Sequence, residues 1–349
     1  MDPQPLTSTT DGPGESQPPI QTPSKPSAPL KSGPGNPFVV GPAAGTSKHT
    51  HTVILLHGLG SNGVKFGEEL LATGVASSGR SLASLLPGAK FIFPTAKRRR
   101  SSAFGRSMLT QWFDVASLDD PLKRKDKQLK GLAESHAEIS ELVEREAALV
   151  GRENVLLGGI SMGCAMGLIA LLAATPRGVG GFMGMSGWLP LRDDLEDVAR
   201  AATPTRKEGD GGDDDGDNVF GSDDENPFQH NDDGDDDGEH KDGGRGRREK
   251  TPSERVGSFV REILSLDTGR PGQEGPTSAT STPVFLGHGG ADEKIKPRLG
   301  EEARGVLEAV GFDVTWKRYE DLGHWYKIPD EIDDIAEFIR SKMGWELAG

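Results

Sequence analysis

The chain has 349 residues, 48 of them Gly and 24 Pro, with 34% apolar content, a single cysteine and a net charge of −14. Residues 208–240 hold 15 Asp or Glu and no Lys or Arg, so the acidity is local and the remainder is near neutral, which argues against nucleic-acid binding through bulk positive charge. The lone Cys164 rules out an internal disulfide framework and a CxxC metal site.

Residues 1–48 and 203–281 are crowded with Pro, Ser, Thr, Gly or Asp and lack periodic apolar positions. Such segments cannot offset chain entropy by burial. They are expected to be a disordered tail and a low-complexity acidic insert, mostly disordered, with one amphipathic stretch at 253–266 that reads as a helix. Residues 49–202 plus 282–349 then form a single domain of ordinary size. No apolar run reaches the roughly 18 residues of a membrane span, and no secretory pattern opens the chain. The expected location is cytoplasmic, with nuclear entry as a second option.

In chain order, 52–56 (TVILL) is a continuous apolar run and hence a buried strand. Residues 66–86 pattern as helix, interrupted around Gly74 and Gly79, and 89–93 (AKFIF) is a second strand. The spacing predicts a long amphipathic helix over 126–150, a strand at 154–158, an apolar helix at 162–174 and a strand at 179–185. After the insert come a strand at 283–286, a helix at 297–310, a strand at 314–319 and a closing helix at 330–343. Strands alternating with helices imply a mostly parallel central sheet with helices on both faces, and reactive groups at the carboxyl ends of the strands.

The chemistry-bearing motif is Gly159-Ile160-Ser161-Met162-Gly163, between a predicted strand and a predicted helix. In that context Gly-x-Ser-x-Gly is a nucleophile elbow, which presents the serine hydroxyl above the sheet edge. The fold class is therefore α/β-hydrolase. Serine needs a base, and in this class the order is Ser, then Asp or Glu, then His after the last strand. His324 is the histidine that fits, and Asp292, after the strand at 283–286, is the acid chosen over the adjacent Glu293. His57 and His288 are read as loop ties near the site. Two backbone N–H groups must hold the oxyanion: that of Met162, next to the nucleophile, and that of Leu59 in the loop His57-Gly58-Leu59-Gly60.

LHGLG at 56–60, FPTA at 93–96, WFD at 112–114, GGISMG at 158–163, MSGWLP at 185–190, FLGHGGAD at 285–292 and GH at 323–324 follow one another in an order that resembles the acyl-protein thioesterase and phospholipase/carboxylesterase family. The resemblance covers about 49–200 and 282–345. It implies one α/β-hydrolase domain with a Ser-Asp-His triad that hydrolyses carboxylic esters and, in the best-known members, the thioester linking palmitate to protein cysteines. It matches Ser161, Asp292 and His324 to the triad, and Leu59 and Met162 to the oxyanion donors. It also sets Trp112, Trp188 and Leu189 beside the substrate, and Trp325 is added as a substrate contact because it follows His324. The elbow departs from the family's usual GFSQG, and Trp188 and Trp325 are bulky; rings entering the acyl pocket would shorten the accepted chain.

The remaining motifs lie outside this site. Pro23, Pro26 and Pro29 give PxxP spacings in the tail, and Asp233, Asp235, Asp237 and Gly238 begin an EF-hand-like register whose twelfth position is Gly244 rather than Glu. Both are read as properties of flexible polar chain. Lys97-Arg98-Arg99-Arg100 is read as an exposed loop, with nuclear import or an acidic lipid as its functional alternatives. The expected function is a serine hydrolase of (thio)esters acting on an acylated protein or a small ester, without metal or organic cofactor and with transient membrane-surface contact. A short-chain carboxylesterase or lysophospholipase is the rival within enzymes, and a non-catalytic binding protein on a hydrolase fold the rival outside them.

Overall fold

A computed structural model describes residues 36–45, 48–174, 177–201, 249–266 and 279–349. The PxxP prolines of the tail and the acidic run 208–240 lie outside the described residues.

The described elements in chain order are β1 (Phe38–Val40), β2 (His51–Leu56), α1 (Gly63–Thr73), α2 (Leu82–Leu85), β3 (Ala89–Phe93), β4 (Arg98–Arg100), β5 (Met108–Thr110), α3 (Asp126–Val150), β6 (Val155–Ile160), α4 (Met162–Ala173), β7 (Gly181–Met185), α5 (Arg192–Arg200), α6 (Pro252–Ile263), β8 (Val284–Gly289), α7 (Pro297–Val310), β9 (Val314–Tyr319) and α8 (Asp330–Lys342). Seven strands form one sheet in the order β1-β3-β2-β6-β7-β8-β9. Every pairing is parallel except β1 with β3.

Alternation along the strands explains why both faces are covered. On β2, Ile54 and Leu56 join a core with residues of α3, α4, α5, α6 and α7, while Val53 and Leu55 join a second core with residues of α1, α2 and α8. A parallel strand buried on both sides has no polar face to show, which is why 52–56 reads as an uninterrupted apolar run. Strand β6 extends to Ile160, beyond the expected 154–158, and includes Gly158 and Gly159. A Cβ at Gly158 would meet the Met183 carbonyl oxygen at 2.1 Å, so glycine permits the close strand packing here.

Three expectations are corrected. Phe38–Val40, assigned to the tail, is an antiparallel edge strand whose Phe38 packs on Phe93 at 5.8 Å between ring centroids. Flanking prolines are tolerated at an edge, where one side of the ladder has no partner. Lys97–Arg100, expected as a loop, is largely β4 of a two-stranded hairpin with β5, and Arg99 and Lys97 pair with Glu134 and Glu138 of α3. The stretch at 253–266, assigned to the insert, is α6, and it belongs to the packed domain. Helix α4 is buried along all of its residues, and a helix apolar all round needs cover on every side. Helix α6 supplies part of that cover through Val256 and Val260. A capping box fixes its start, with Thr251 Oγ1 accepting from the Glu254 N–H and Glu254 Oε2 from the Thr251 N–H. Arg261 donates to the Ala173 carbonyl at the end of α4.

Val256→Asp places a carboxylate in this apolar contact and is expected to destabilise by more than about 3 kcal/mol in urea unfolding. Glu262→Ala, at an exposed position of α6, should change stability by less than about 0.5 kcal/mol.

Candidate active site

Ser161 sits on the turn from β6 into α4 with φ 57° and ψ −122°, a conformation that costs a non-glycine residue about 1–3 kcal/mol. The neighbours enforce it. A Cβ at Gly159 would lie 2.6 Å from the Leu56 carbonyl oxygen, and one at Gly163 would lie 2.1 Å from the same atom. Only glycine lets α4 approach β2 this closely, and the residue between them is pushed outward. The Ser161 N–H donates to the Met185 carbonyl at 2.8 Å, which ties the turn to the end of β7.

Asp292 follows β8 and His324 follows β9, so both side chains come from strand ends on the same edge as Ser161. Asp292 is buried, and its Oδ1 accepts from the Lys294 and Ile295 N–H groups at 2.9 Å each. Its Oδ2 lies 2.7 Å from His324 Nδ1, and His324 Nε2 lies 2.9 Å from Ser161 Oγ. The carboxylate can only accept, so Nδ1 carries the proton and Nε2 presents a lone pair to the serine hydroxyl. Burial by itself would raise the Asp292 pKa. Hydrogen bonds from His288, His324 and the Ile295 N–H outweigh that and hold the carboxyl well below the usual carboxylate range. His288 Nε2 bonds primarily to the Ile295 carbonyl at 2.9 Å and lies 3.4 Å from Asp292 Oδ2, so it clamps the loop that carries the acid.

The loop after β2 faces this group. A Cβ at Gly58 would touch Ser161 Cβ at 3.4 Å. His57 Nδ1 donates to the Gly58 carbonyl at 2.7 Å, and its Nε2 accepts from the Ala96 N–H at 3.0 Å. Trp112 Nε1 donates to the His57 carbonyl at 2.8 Å, and the Gly60 N–H donates to Thr110. Among the described residues, neither the Leu59 nor the Met162 N–H has a protein acceptor. The Met162 N–H also opens the first turn of α4, where the helix dipole favours negative charge.

A cavity of about 680 Å³ lies over Ser161, with Leu59, His324 and Trp325 in its lining and a mainly apolar wall from Phe66, Phe104, Leu109, Leu118 and Ile295. Trp325 stacks on Tyr326 with 4.9 Å between ring centroids. Trp112, Trp188 and Leu189, expected beside the substrate, are core residues that do not line this cavity. Trp112 props the loop after β2, and Trp188 packs edge-on against Phe113 at 6.1 Å. Both follow strands toward the site edge, but their bulk fills space beneath the site. Phe104 and Leu109, on the β4–β5 hairpin, carry no sequence motif.

A family model described as phospholipase/carboxylesterase matches residues 36–214. An acyl-protein thioesterase 1 of Yarrowia lipolytica is 34% identical over 298 residues, 84% of this chain and 93% of that protein. The chain belongs to the phospholipase/carboxylesterase family. As a member it is an ester hydrolase of the serine type. An acyl-protein thioesterase 1 of Gibberella zeae is 25% identical over 87% of this chain and 95% of its own length. The crystal structure of Zea mays acyl-protein thioesterase 2 superposes with a TM-score of 0.54 at 24% identity, covering 89% of this chain and all of that one, and so shares the fold of this phospholipase/carboxylesterase.

The loop after β2 makes the enzyme acid-sensitive. Burial pushes the His57 imidazole from its ordinary 6.5 down to about 4, against a smaller opposing effect of its bond to Gly58. Burial likewise pushes His136 of α3 to about 4. Between those values the unfolded chain takes up protons that the native state refuses, so stability is full above about pH 6.5 and falls as pH drops toward 4. Urea unfolding at about pH 7 and about pH 4.5 should record the loss, and His57→Asn should lessen the slope while lowering stability at neutral pH.

Proposed function

We propose that this serine hydrolase removes fatty acyl groups from protein cysteines, with Ser161 as nucleophile, His324 as general base and Asp292 as the carboxylate that orients the imidazole and stabilises its charged form. The observation that carries the reading is the unbroken hydrogen-bond chain Asp292–His324–Ser161 on the floor of an apolar cavity. The relatives named acyl-protein thioesterase support the substrate class.

The chemistry follows from the geometry. Ser161 Oγ attacks the acyl carbonyl carbon as His324 Nε2 takes its proton. The charge that appears on the imidazole lies against an Asp292 carboxylate already bonded to Nδ1–H. Charge on the former carbonyl oxygen goes to the Leu59 and Met162 N–H groups, which have no competing protein acceptor. Collapse expels the thiolate or alkoxide, which takes the proton from Nε2, and leaves the acyl group on Ser161. A water deprotonated by the same nitrogen then attacks the acyl carbon, the bond to Ser161 Oγ breaks as Nε2 returns the proton to that oxygen, and the free acid departs. The cavity volume falls within the roughly 300–1,000 Å³ of ligand sites, and its apolar wall, Trp325 included, suits an acyl chain.

Contact with a membrane surface is part of this reading. Phe104 and Met108 are 45% and 43% exposed on the β4–β5 hairpin, beside the exposed Arg98, Arg100 and Arg106. Phe104 also lines the cavity. Apolar tips flanked by arginines suit an anionic lipid surface, from which an acyl chain could pass to the cavity.

Hydrolysis of matched esters and thioesters from acetyl to palmitoyl should run fastest on the long-chain thioesters. Ser161→Ala should lose at least about 10⁴-fold in kcat, and Asp292→Asn about 10⁴-fold through the wrong tautomer. Turnover of short oxygen esters alone would move the reading to a carboxylesterase. A wild-type protein that neither turns over nor labels with a fluorophosphonate would move it to a binding protein. Separately, Met108→Ser with Arg100→Ser should weaken co-sedimentation with phosphatidylserine vesicles while leaving hydrolysis of a water-soluble ester within about twofold.

A further inference from the structure

The loop that carries His324 is held by two buried polar side chains that the mechanism above does not use. Ser186, directly after β7, is fully buried with φ 48°. Its Oγ donates to the Trp325 carbonyl at 2.8 Å, one residue past His324. Its N–H donates to the Gly287 carbonyl on β8 at 2.8 Å. Glu331, in the first turn of α8, is also fully buried. Its Oε2 accepts from the Lys327 N–H at 2.8 Å, three residues past His324. Among the described residues its Oε1 has no hydrogen-bond partner, and it presses on the backbone of Gly287, where a Cβ would lie 2.0 Å away. The contacts close a circuit: Gly287 to Ser186, Ser186 to Trp325, along the loop to Lys327, and through Glu331 back to Gly287. Five residues beyond Gly287, the same chain delivers Asp292.

We infer that Glu331, with Ser186, is a positioning residue that sets the His324 loop against the strand leading to Asp292, and so fixes the imidazole relative to both of its partners. The inference rests on the triad reading above. Only the uncharged form of Glu331 suits this place. A carboxylate oxygen without a donor is costly in the interior, and burial pushes the Glu331 carboxyl up to about 8, the Lys327 N–H pulling the other way and Asp334 adding to the rise. The titratable groups around it do not neutralise a negative charge. Cys164 of α4 and Tyr319 of β9 are both held in their neutral forms, chiefly by burial. Asp334 of α8 is occupied by Lys317 and the Tyr319 hydroxyl. Lys327 turns its ammonium to Asp321. Helix α2, which also packs on α8, carries no titratable side chain, and His288 of β8 packs instead against Gly300 of α7. Ionisation of Glu331 therefore strains the loop contact, and the site loses its alignment as pH rises.

The test is background-corrected hydrolysis of a butyryl ester by the full chain between about pH 6 and 10, with fluorophosphonate labelling of Ser161 in parallel. Wild-type kcat should fall above about pH 8 with KM unchanged. Glu331→Gln keeps the shape and the acceptor for Lys327 without the titration, so it should match wild type at neutral pH and stay flat through the alkaline range. Glu331→Ala and Ser186→Ala should each lose about tenfold in kcat, per folded molecule, at constant KM. The inference is overturned if Glu331→Gln follows the wild-type alkaline limb, or if the folded alanine variants keep full kcat. If the alanine variants do not fold, the Glu331→Gln profile decides alone. A wild type that labels and turns over while Glu331→Gln shows no alkaline difference sinks this inference only. A wild type that does neither sinks the triad reading and this inference with it.

Discussion

The Leu56 carbonyl oxygen occupies the space that a side chain at Gly159 or Gly163 would need. That contact sets the distance between the first turn of α4 and the edge of β2, and the rest of the site is measured from it. It throws Ser161 into a left-handed backbone conformation and directs the open N-terminus of α4 at the same point. It also brings the loop after β2 against the serine. The backbone strain at one residue is small beside the burial of α4, whose every residue is enclosed. A fully buried helix cannot relax outward, so the strain is held.

Around that fixed point the protein sets protonation states by environment. Asp292 is kept charged by donors that converge on it, whereas Glu331, one helix away, lacks a donor on one oxygen and is kept neutral by burial. His57 is kept neutral by the same desolvation, which suits a ring whose Nε2 must accept from the Ala96 N–H. Like side chains thus hold different protonation states near one catalytic edge, as the division of labour between acids and bases requires.

Patterns that are local in the chain are legible from the order of residues alone. The apolar runs of β2, β3 and β6, the long amphipathic α3 and the elbow around Ser161 each depend on neighbours within a turn or a strand, so spacing reveals them. Asp292 and His324 are reachable because a doubly wound sheet places strand ends on one edge. The edge strand β1, the hairpin β4–β5 and the short α5 are not legible, since each is only a few residues long or draws its stability from partners elsewhere. Helix α6 has a clear amphipathic period, but its membership of the domain depends on α4 needing cover. Trp112, Trp188 and Leu189 show the opposite failure. The family resemblance sets all three beside the substrate, while packing turns them into the core. Ser186 lies inside the MSGWLP motif, but its positioning role and that of Glu331 carry no signal of their own, because their partners, Trp325 and Gly287, come from other segments.

The guanidinium of Arg255 joins the end of α5 to the start of α6. It donates to the Val198 and Ala199 carbonyls at the end of α5 and to the Lys250 carbonyl at the threshold of α6. One side chain thus ties the last turn of α5 to the start of α6 through three backbone carbonyls. Because α5 also packs on α7 and α6 on α4, that one guanidinium links the cover of two helices on the same face of the sheet.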